Sequence, residues 1–325
     1  MFVPFIDPIT NKDLFLENNA YKDKESNTVW PVIRSIPRFC DFENYSENYT
    51  ENFGYQWNIF AKNQIDSYSN IKQSEERFYL ETDWKYDELE NQKILEVGSG
   101  AGRFTEVFLR TTNGTLHSFD FSNAVEANLK NNYKYIKRLC LFQASLYQIP
   151  FPDKSFDKVF CLGVLQHTPS YKKTLSSIAK KLNISGEIVV DFYPIKSFLT
   201  FIHSKYFFRL FTPLIPKKTL LQIIQFSVPG MILLFDLFCF CGLSILTRFI
   251  PITDLRLIPK ELSKEERKTW AIMDTFDAFS PKYDNPKSIK RVSNYLQSIG
   301  FRITFAGYVH FTEGYSAVVR AIREK

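Results

Sequence analysis

The chain has 325 residues, 45% hydrophobic and 23% charged, which suits a folded protein with a sizeable core and excludes disordered and collagen-like classes. Lys+Arg number 41 against 35 Asp+Glu, a net charge of +6; the excess is spread without a dense basic block, so no nucleic-acid partner is expected. Five Cys without a C-x-x-C pair support neither a disulfide framework nor a zinc site, and the segment from Met1 to Asp7 lacks a basic n-region and cleavage site, so a reducing, cytoplasmic setting is expected.

Residues 1–40 read as short extended pieces between turn residues, ending in V-W-P-V-I-R-S-I-P-R-F from Val29 to Phe39, a small β module. Residues 41–90 are polar and aromatic, with helical spacing around Phe53, Trp57 and Phe60 and again around Phe78 and Leu80. Over 91–193 strands alternate with helices. The strands are predicted at Lys93–Val97, Thr115–Asp120, Leu139–Ala144, Lys158–Leu165 and Glu187–Phe192. Helices are predicted from Gly102 to Leu109, from Ser122 as N-cap through Leu129, and over Tyr171–Leu182. This alternation predicts an α/β fold, a doubly wound parallel sheet with ligands at the carboxyl ends of its strands.

The alternation breaks at 194–265, which is apolar and aromatic. Thr219–Thr247 has no Lys or Arg, and Asp236 is its only charge. That length could formally span a bilayer. Pro229-Gly230 and Asp236 interrupt it, however, and a span would strand the closing elements. The expected form is a helical lid over an acceptor pocket, with Lys217, Lys218, Arg248 and Arg256 at its flanks suited to peripheral membrane contact. Residues 266–325 supply a polar helix near Pro286–Ile299 and an antiparallel pair of strands, Phe301–Val309 and Ser316–Ile322.

The chemistry-bearing motif is I-L-E-V-G-S-G-A-G-R-F at Ile94–Phe104. Gly98, Gly100 and Gly102 let the backbone turn between strand and helix and let a ligand approach closely. The dinucleotide fingerprint G-x-G-x-x-G competes, but the spacing here is G-x-G-x-G. Glu96, two residues before the first glycine, suits a cationic ligand better than a pyrophosphate. Asp120 closes the second strand, where a carboxylate can accept both ribose hydroxyls of an adenosine; its bland alternative is capping the next helix. Of the histidines, His117 lies inside a strand. His167 lies just past the fourth strand on the ligand side, a candidate general base or acceptor-binding residue.

With Q-A-S-L-Y-Q-I-P-F-P-D-K-S-F-D at Gln143–Asp157 and G-V-L-Q-H at Gly163–His167, the chain resembles class I S-adenosylmethionine-dependent methyltransferases of the small-molecule group. The resemblance implies a Rossmann-like, seven-stranded, mostly parallel sheet with an antiparallel last strand. It also implies S-adenosylmethionine as cofactor, bound by Glu96, Gly98, Ser99, Gly100, Gly102, Asp120, Phe121, Ser145, Leu146 and Gly163. Family members usually carry Asp where Ser145 stands, to accept from the adenine amino group. The stretch Tyr49–Trp57, with Gln56 and Trp57, resembles the segment that closes over the cofactor. Residues 1–40 resemble a zinc-ribbon-like module without its Cys pairs, so no metal is expected. W-A-I-M-D-T-F-D-A-F-S-P-K-Y-D at Trp270–Asp284 resembles a run of carboxylates and aromatics that suits a sugar-like acceptor, with Asp274 and Tyr283 as acceptor contacts.

These readings imply methyl transfer to a small molecule, a sugar or lipid-linked glycan hydroxyl, in the cytoplasm or at the inner face of a membrane. The alternatives are a S-adenosylmethionine-binding scaffold without catalysis, and an NAD-dependent oxidoreductase, which would need the missing fingerprint.

Overall fold

The computed structural model describes residues 2–24, 28–40, 49–195 and 202–325. The N-terminal segment supplies β1 (Phe15–Glu17), β2 (Ala20–Lys22), β3 (Val29–Ile33) and β4 (Ile36–Phe39), and three helices follow, α1 (Glu51–Ile59), α2 (Asp66–Ser69) and α3 (Gln73–Thr82). The core then alternates β5 (Ile94–Val97), α4 (Arg103–Thr111), β6 (Leu116–Asp120), α5 (Val125–Asn132), β7 (Leu139–Ala144), β8 (Phe156–Cys161), α6 (Tyr171–Lys181) and β9 (Leu182–Phe192). After α7 (Ser204–Phe208), α8 (Lys217–Phe240), α9 (Lys264–Phe279) and α10 (Ile289–Ser298), the described chain closes with β10 (Phe301–Phe311) and β11 (Gly314–Arg323).

Seven strands run in the order β7-β6-β5-β8-β9-β11-β10. β5 to β9 pair in parallel, and β11 is antiparallel to both β9 and β10. All four residues of β5 are buried, as expected of a central parallel strand covered on both faces. Strand alternation sends Leu95 and Val97 to a core shared with Leu175, Ile178, Val292 and Leu296 of α6 and α10. Ile94 goes the other way, to a core built with Phe78, Phe104, Phe108 and Val125 of α3, α4 and α5. A third core joins α8 and α9 to Phe60, next to the end of α1, and to Tyr55 and Trp57 within it.

The N-terminal module extends this sheet rather than standing beside it. Arg38 and Phe39 of β4 pair in parallel with Gln143 and Ala144 of β7, giving eleven strands among the described residues. Buried Asp7 holds the module internally. It accepts from the Ile9 and Thr10 N–H groups at 2.7 and 2.9 Å and from the Trp30 indole at 3.0 Å. Buried His117 ties the module to β6, its Nε2 accepting from the Val3 N–H at 2.9 Å.

Several boundaries differ from the sequence reading for local reasons. The fourth strand stops at Cys161 because Gly163 turns left-handed, at φ +76°, and Leu165–His167 form a 3-10 turn. Ser122 does not cap α5. Its N–H and O–H donate to Asp120 at 2.8 and 2.7 Å, and the helix starts at Val125. Residues 264–279, where periodicity predicted no element, form α9, started by a capping box between Ser263 and Glu266.

Candidate active site

The carboxyl ends of β5, β6, β8 and β9 meet beside the point where strand order reverses, between β5 and β8. Loops from these ends, with α1 and α9, enclose a cavity of about 780 Å³, toward the upper end of the roughly 300–1,000 Å³ of small-molecule pockets. It has room for a nucleoside-sized ligand and a second small molecule.

One end of the cavity is the glycine loop. Gly98 has φ +77°, and a Cβ there would lie 2.4 Å from Val164 Cγ2, so a side chain is excluded. Gly98, Ser99, Gly100, Asp120, Phe121 and Leu146 all line this end. Asp120 accepts from the Gly100 N–H at 2.9 Å through one oxygen and from Ser122 through the other, which fixes the carboxylate against the loop. Burial raises its pKa, opposed by the Ser122 hydroxyl. Trp57 of α1 closes over the loop: a Cβ on Gly100 would come 3.2 Å from its Nε1.

These residues fit an adenosyl cofactor. Ser99 lines the cavity, yet its buried Oγ has no protein partner, and Arg103, also in the lining, has a buried Nε without one. Buried polar groups are normally satisfied, so orphans around a glycine cradle and a fixed carboxylate point to a polar ligand.

His167, Tyr193, Asp274 and Asp277 line the same cavity. His167 Nδ1 lies 3.0 Å from the Tyr283 carbonyl. A carbonyl only accepts, so Nδ1 carries the proton and Nε2 is the basic nitrogen. Burial lowers the His167 pKa, against the opposing pull of Asp277 and Asp284, so the ring is neutral near pH 7. Phe53 and Tyr193 pack edge-on to it at 4.9 and 5.7 Å. Asp274, on α9, is pushed up to about 7 by burial and by Asp277, with Arg103 opposing. The cavity thus brings together a neutral imidazole and a carboxyl whose protonation changes near neutrality.

Five expected site residues lie outside the lining. Glu96 faces the opposite side of β5 from Leu95 and Val97, under α4, where it accepts from the hydroxyls of Thr105 and of Ser118, the latter at 2.7 Å. Burial raises its pKa to about 7; it anchors α4 and does not face a cationic ligand. Gly102 packs α4 on α5, since a Cβ there would meet Asn128 Oδ1 at 2.3 Å. The Ser145 hydroxyl accepts from the Tyr147 N–H at 3.2 Å in its own turn, leaving Leu146 at the cavity. Gln56 is buried in α1 behind the lining. Tyr283 packs its ring against Tyr49 at 5.6 Å and serves His167 through its backbone carbonyl rather than its phenol. Gly163, also expected, does line the cavity.

Sequence reasoning assigned no role to a buried ionic group whose Arg77 and Asp191 line the cavity. Arg77 donates to Glu81 at 2.7 Å and to Asp191. Burial alone would lower its pKa, but Glu81 and Asp191 raise it. Asp191 also accepts from the Gly163 N–H, which fixes the loop after β8. Arg103 beside it is lowered to about 10 by burial and by Arg77. The available signal was the lone acid in I-V-V-D-F at the carboxyl end of β9, a position that needs a buried cation.

The apolar stretch does not itself cover the cavity. His203, Lys205 and Tyr206 before α8, and Arg248, Ile252 and Thr253 after it, line the cavity; no α8 residue does. The cover is α9 with these flanks.

Comparison with known proteins agrees with this architecture. Residues 95–190 match the methyltransferase domain family. A tRNA U34 carboxymethyltransferase of Nautilia profundicola is 29% identical over 124 residues, 35% of this chain and 41% of that protein. A demethylmenaquinone methyltransferase of Tropheryma whipplei is 27% identical over 99 residues, 30% of this chain and 41% of that one. The chain therefore spans less than half the length of either. Among solved structures, a SAM dependent methyltransferase from Aquifex aeolicus superposes with a TM-score of 0.44 at 11% identity, covering 83% of this chain and 97% of that one. A relative named for a tRNA position corrects one expectation: a diffuse positive charge does not exclude a nucleic-acid acceptor. Residues 95–190, with their glycine loop and with Asp120 beside the switch point, match a methyltransferase domain, which supports S-adenosylmethionine as the cofactor.

Proposed function

We propose that the chain transfers the methyl group of S-adenosylmethionine to a hydroxyl of a small polar acceptor, a sugar or a lipid-linked glycan. The observation that carries this reading is His167. It is a neutral imidazole with its proton fixed on Nδ1 by the Tyr283 carbonyl, in the same cavity as the glycine loop. The cofactor supplies a methyl group already activated by its sulfonium, so the protein's share is alignment, exclusion of water and handling of the acceptor proton. Phe53 and Trp57 of α1 line the cavity and exclude water. Nε2 of His167 takes the hydroxyl proton. Asp274 and Asp277 accept from the acceptor's other hydroxyls.

A second reading, a tRNA acceptor, is favoured by the named relatives. The cavity lining does not add to it: Asp254, Asp274, Asp277 and Glu313 stand there among Arg77, Arg103, Lys205 and Arg248, a mixed wall rather than a cationic track for a phosphate backbone. Turnover to S-adenosylhomocysteine, assayed with sugar nucleotides, lipid-linked sugars and unmodified tRNA, separates the two. Turnover on tRNA alone sinks the first reading. Cofactor binding with no turnover on any acceptor class favours a non-catalytic scaffold.

A further inference from the structure

α8 is apolar on two opposite faces. One face buries Leu220, Leu221, Ile224, Val228 and Phe235 in the core shared with α9. On the other, Ile223, Phe226, Gly230, Leu233, Leu237 and Phe240 follow one another at helical spacing as a single exposed stripe. Phe226, Leu233 and Phe240 are 90%, 73% and 89% exposed. A helix on a water-facing surface carries polar residues there. The one charge between Thr219 and Thr247 is Asp236, held by both terminal nitrogens of Arg267 at 2.9 and 2.8 Å. A continuous stripe of this kind exceeds the scattered exposed apolar residues normal on a protein surface.

The helix is long and apolar enough to cross a bilayer, with a mean hydropathy of 1.9 over its most apolar window. Its attachments rule that out. The segments entering and leaving it both return to the one cavity, through Lys205 and Tyr206 on one side and Arg248 and Thr253 on the other. One face is packed along α9. A helix so tethered lies in the plane of an interface. Charge points the same way: residues 202–258 hold six Lys or Arg against two Asp; Lys205, Arg209, Lys217 and Arg256 are ion-paired, and exposed Lys218 at the start of α8 suits an anionic leaflet. A smaller cavity of about 370 Å³ opens beneath the end of α8, between Phe235 and Ile245, and shares His203, Arg248, Ile252 and Asp254 with the main cavity. The site therefore communicates with the region of the stripe's C-terminal end.

We propose that the exposed face of α8 docks on an anionic lipid bilayer. The docking does not rest on the methyl-transfer reading, and calorimetry with S-adenosylmethionine tests that reading separately. The test is flotation of the full chain with vesicles of phosphatidylcholine, with and without phosphatidylglycerol. The chain floats with the anionic vesicles, and the variant F226S/L233S/F240S loses at least ~10-fold in partitioning because three exposed apolar groups are removed. A thiol-linked, environment-sensitive dye on exposed Cys241, in a Cys239→Ser background, shifts to the blue on binding. A chain that stays unbound at physiological salt, or a variant that floats as well as the parent, overturns the proposal. So does a dimer, seen by sedimentation velocity, that the triple variant abolishes without any vesicle binding; that result assigns the face to a second copy.

Discussion

In the proposed reaction His167 and Asp120 carry the site's chemistry, and each depends on what holds it. The Tyr283 carbonyl fixes the His167 proton on Nδ1, and burial lowers its pKa from the ordinary 6.5. The basic form therefore persists below pH 6.5, and the acid limb of the pH–rate profile falls below that value. His167→Gln removes this limb and lowers turnover by roughly 10²–10⁴, while the cofactor Kd is unchanged; an unchanged rate would remove His167 from the reaction. Asp120→Asn leaves the carboxylate's shape but not its charge, and weakens S-adenosylmethionine binding by roughly 10–100-fold, read by calorimetric titration. That Gly98, Gly100, Asp120 and His167 meet in one cavity was legible because strand, loop and spacing fix where the backbone delivers them. Glu96 and Tyr283 were not. Strand alternation turns Glu96 under α4, and a packing choice against Tyr49 turns the Tyr283 phenol away, neither of which is written in a motif.

At the level of elements, the N-terminal module is joined to the sheet by a few buried polar contacts. His117 accepts from the Val3 N–H, and burial lowers its pKa from 6.5 to about 4. The unfolded imidazole titrates near 6.5, so this contribution to stability is complete above pH 6.5 and is lost as the pH falls toward 4. Denaturant titration across that range shows the loss in the parent, and His117→Leu flattens it. Trp30→Phe leaves the Asp7 oxygen that accepts from the indole buried without its donor, which costs ~1–3 kcal/mol; a cost near zero would show that the Asp7–Trp30 bond does not brace the module. The five parallel strands were legible from their apolar runs. The pairing of β4 with β7 was not, since two residues of register leave no pattern in sequence. α9 escaped because its stripe is broken by Asp274 and Asp277, which face the cavity instead of solvent.

The whole molecule is a sheet with two cores and a third core above its carboxyl edge, where α1 and α9 close over the cavity and α8 packs on α9. In this cover α1 packs Phe53 against His167. α1 touches the glycine loop through Trp57, and α9 brings Asp274 and Asp277. A ligand that binds only the folded chain stabilises it by about 2.7 kcal/mol at 100 times its Kd, so S-adenosylmethionine raises the thermal midpoint in the parent and much less in Asp120→Asn. The class of fold was legible at this scale, and the place of the apolar stretch was not. Its composition called for a cover over the site, but both of its faces are apolar, and only packing decides which one meets α9. The most direct test of the account is calorimetric titration of the full chain with S-adenosylmethionine and, separately, with NAD. One molecule of S-adenosylmethionine binds per chain, with affinity lost in Asp120→Asn, and NAD gives no heat of binding. Binding of NAD in place of S-adenosylmethionine, or of neither, would contradict it.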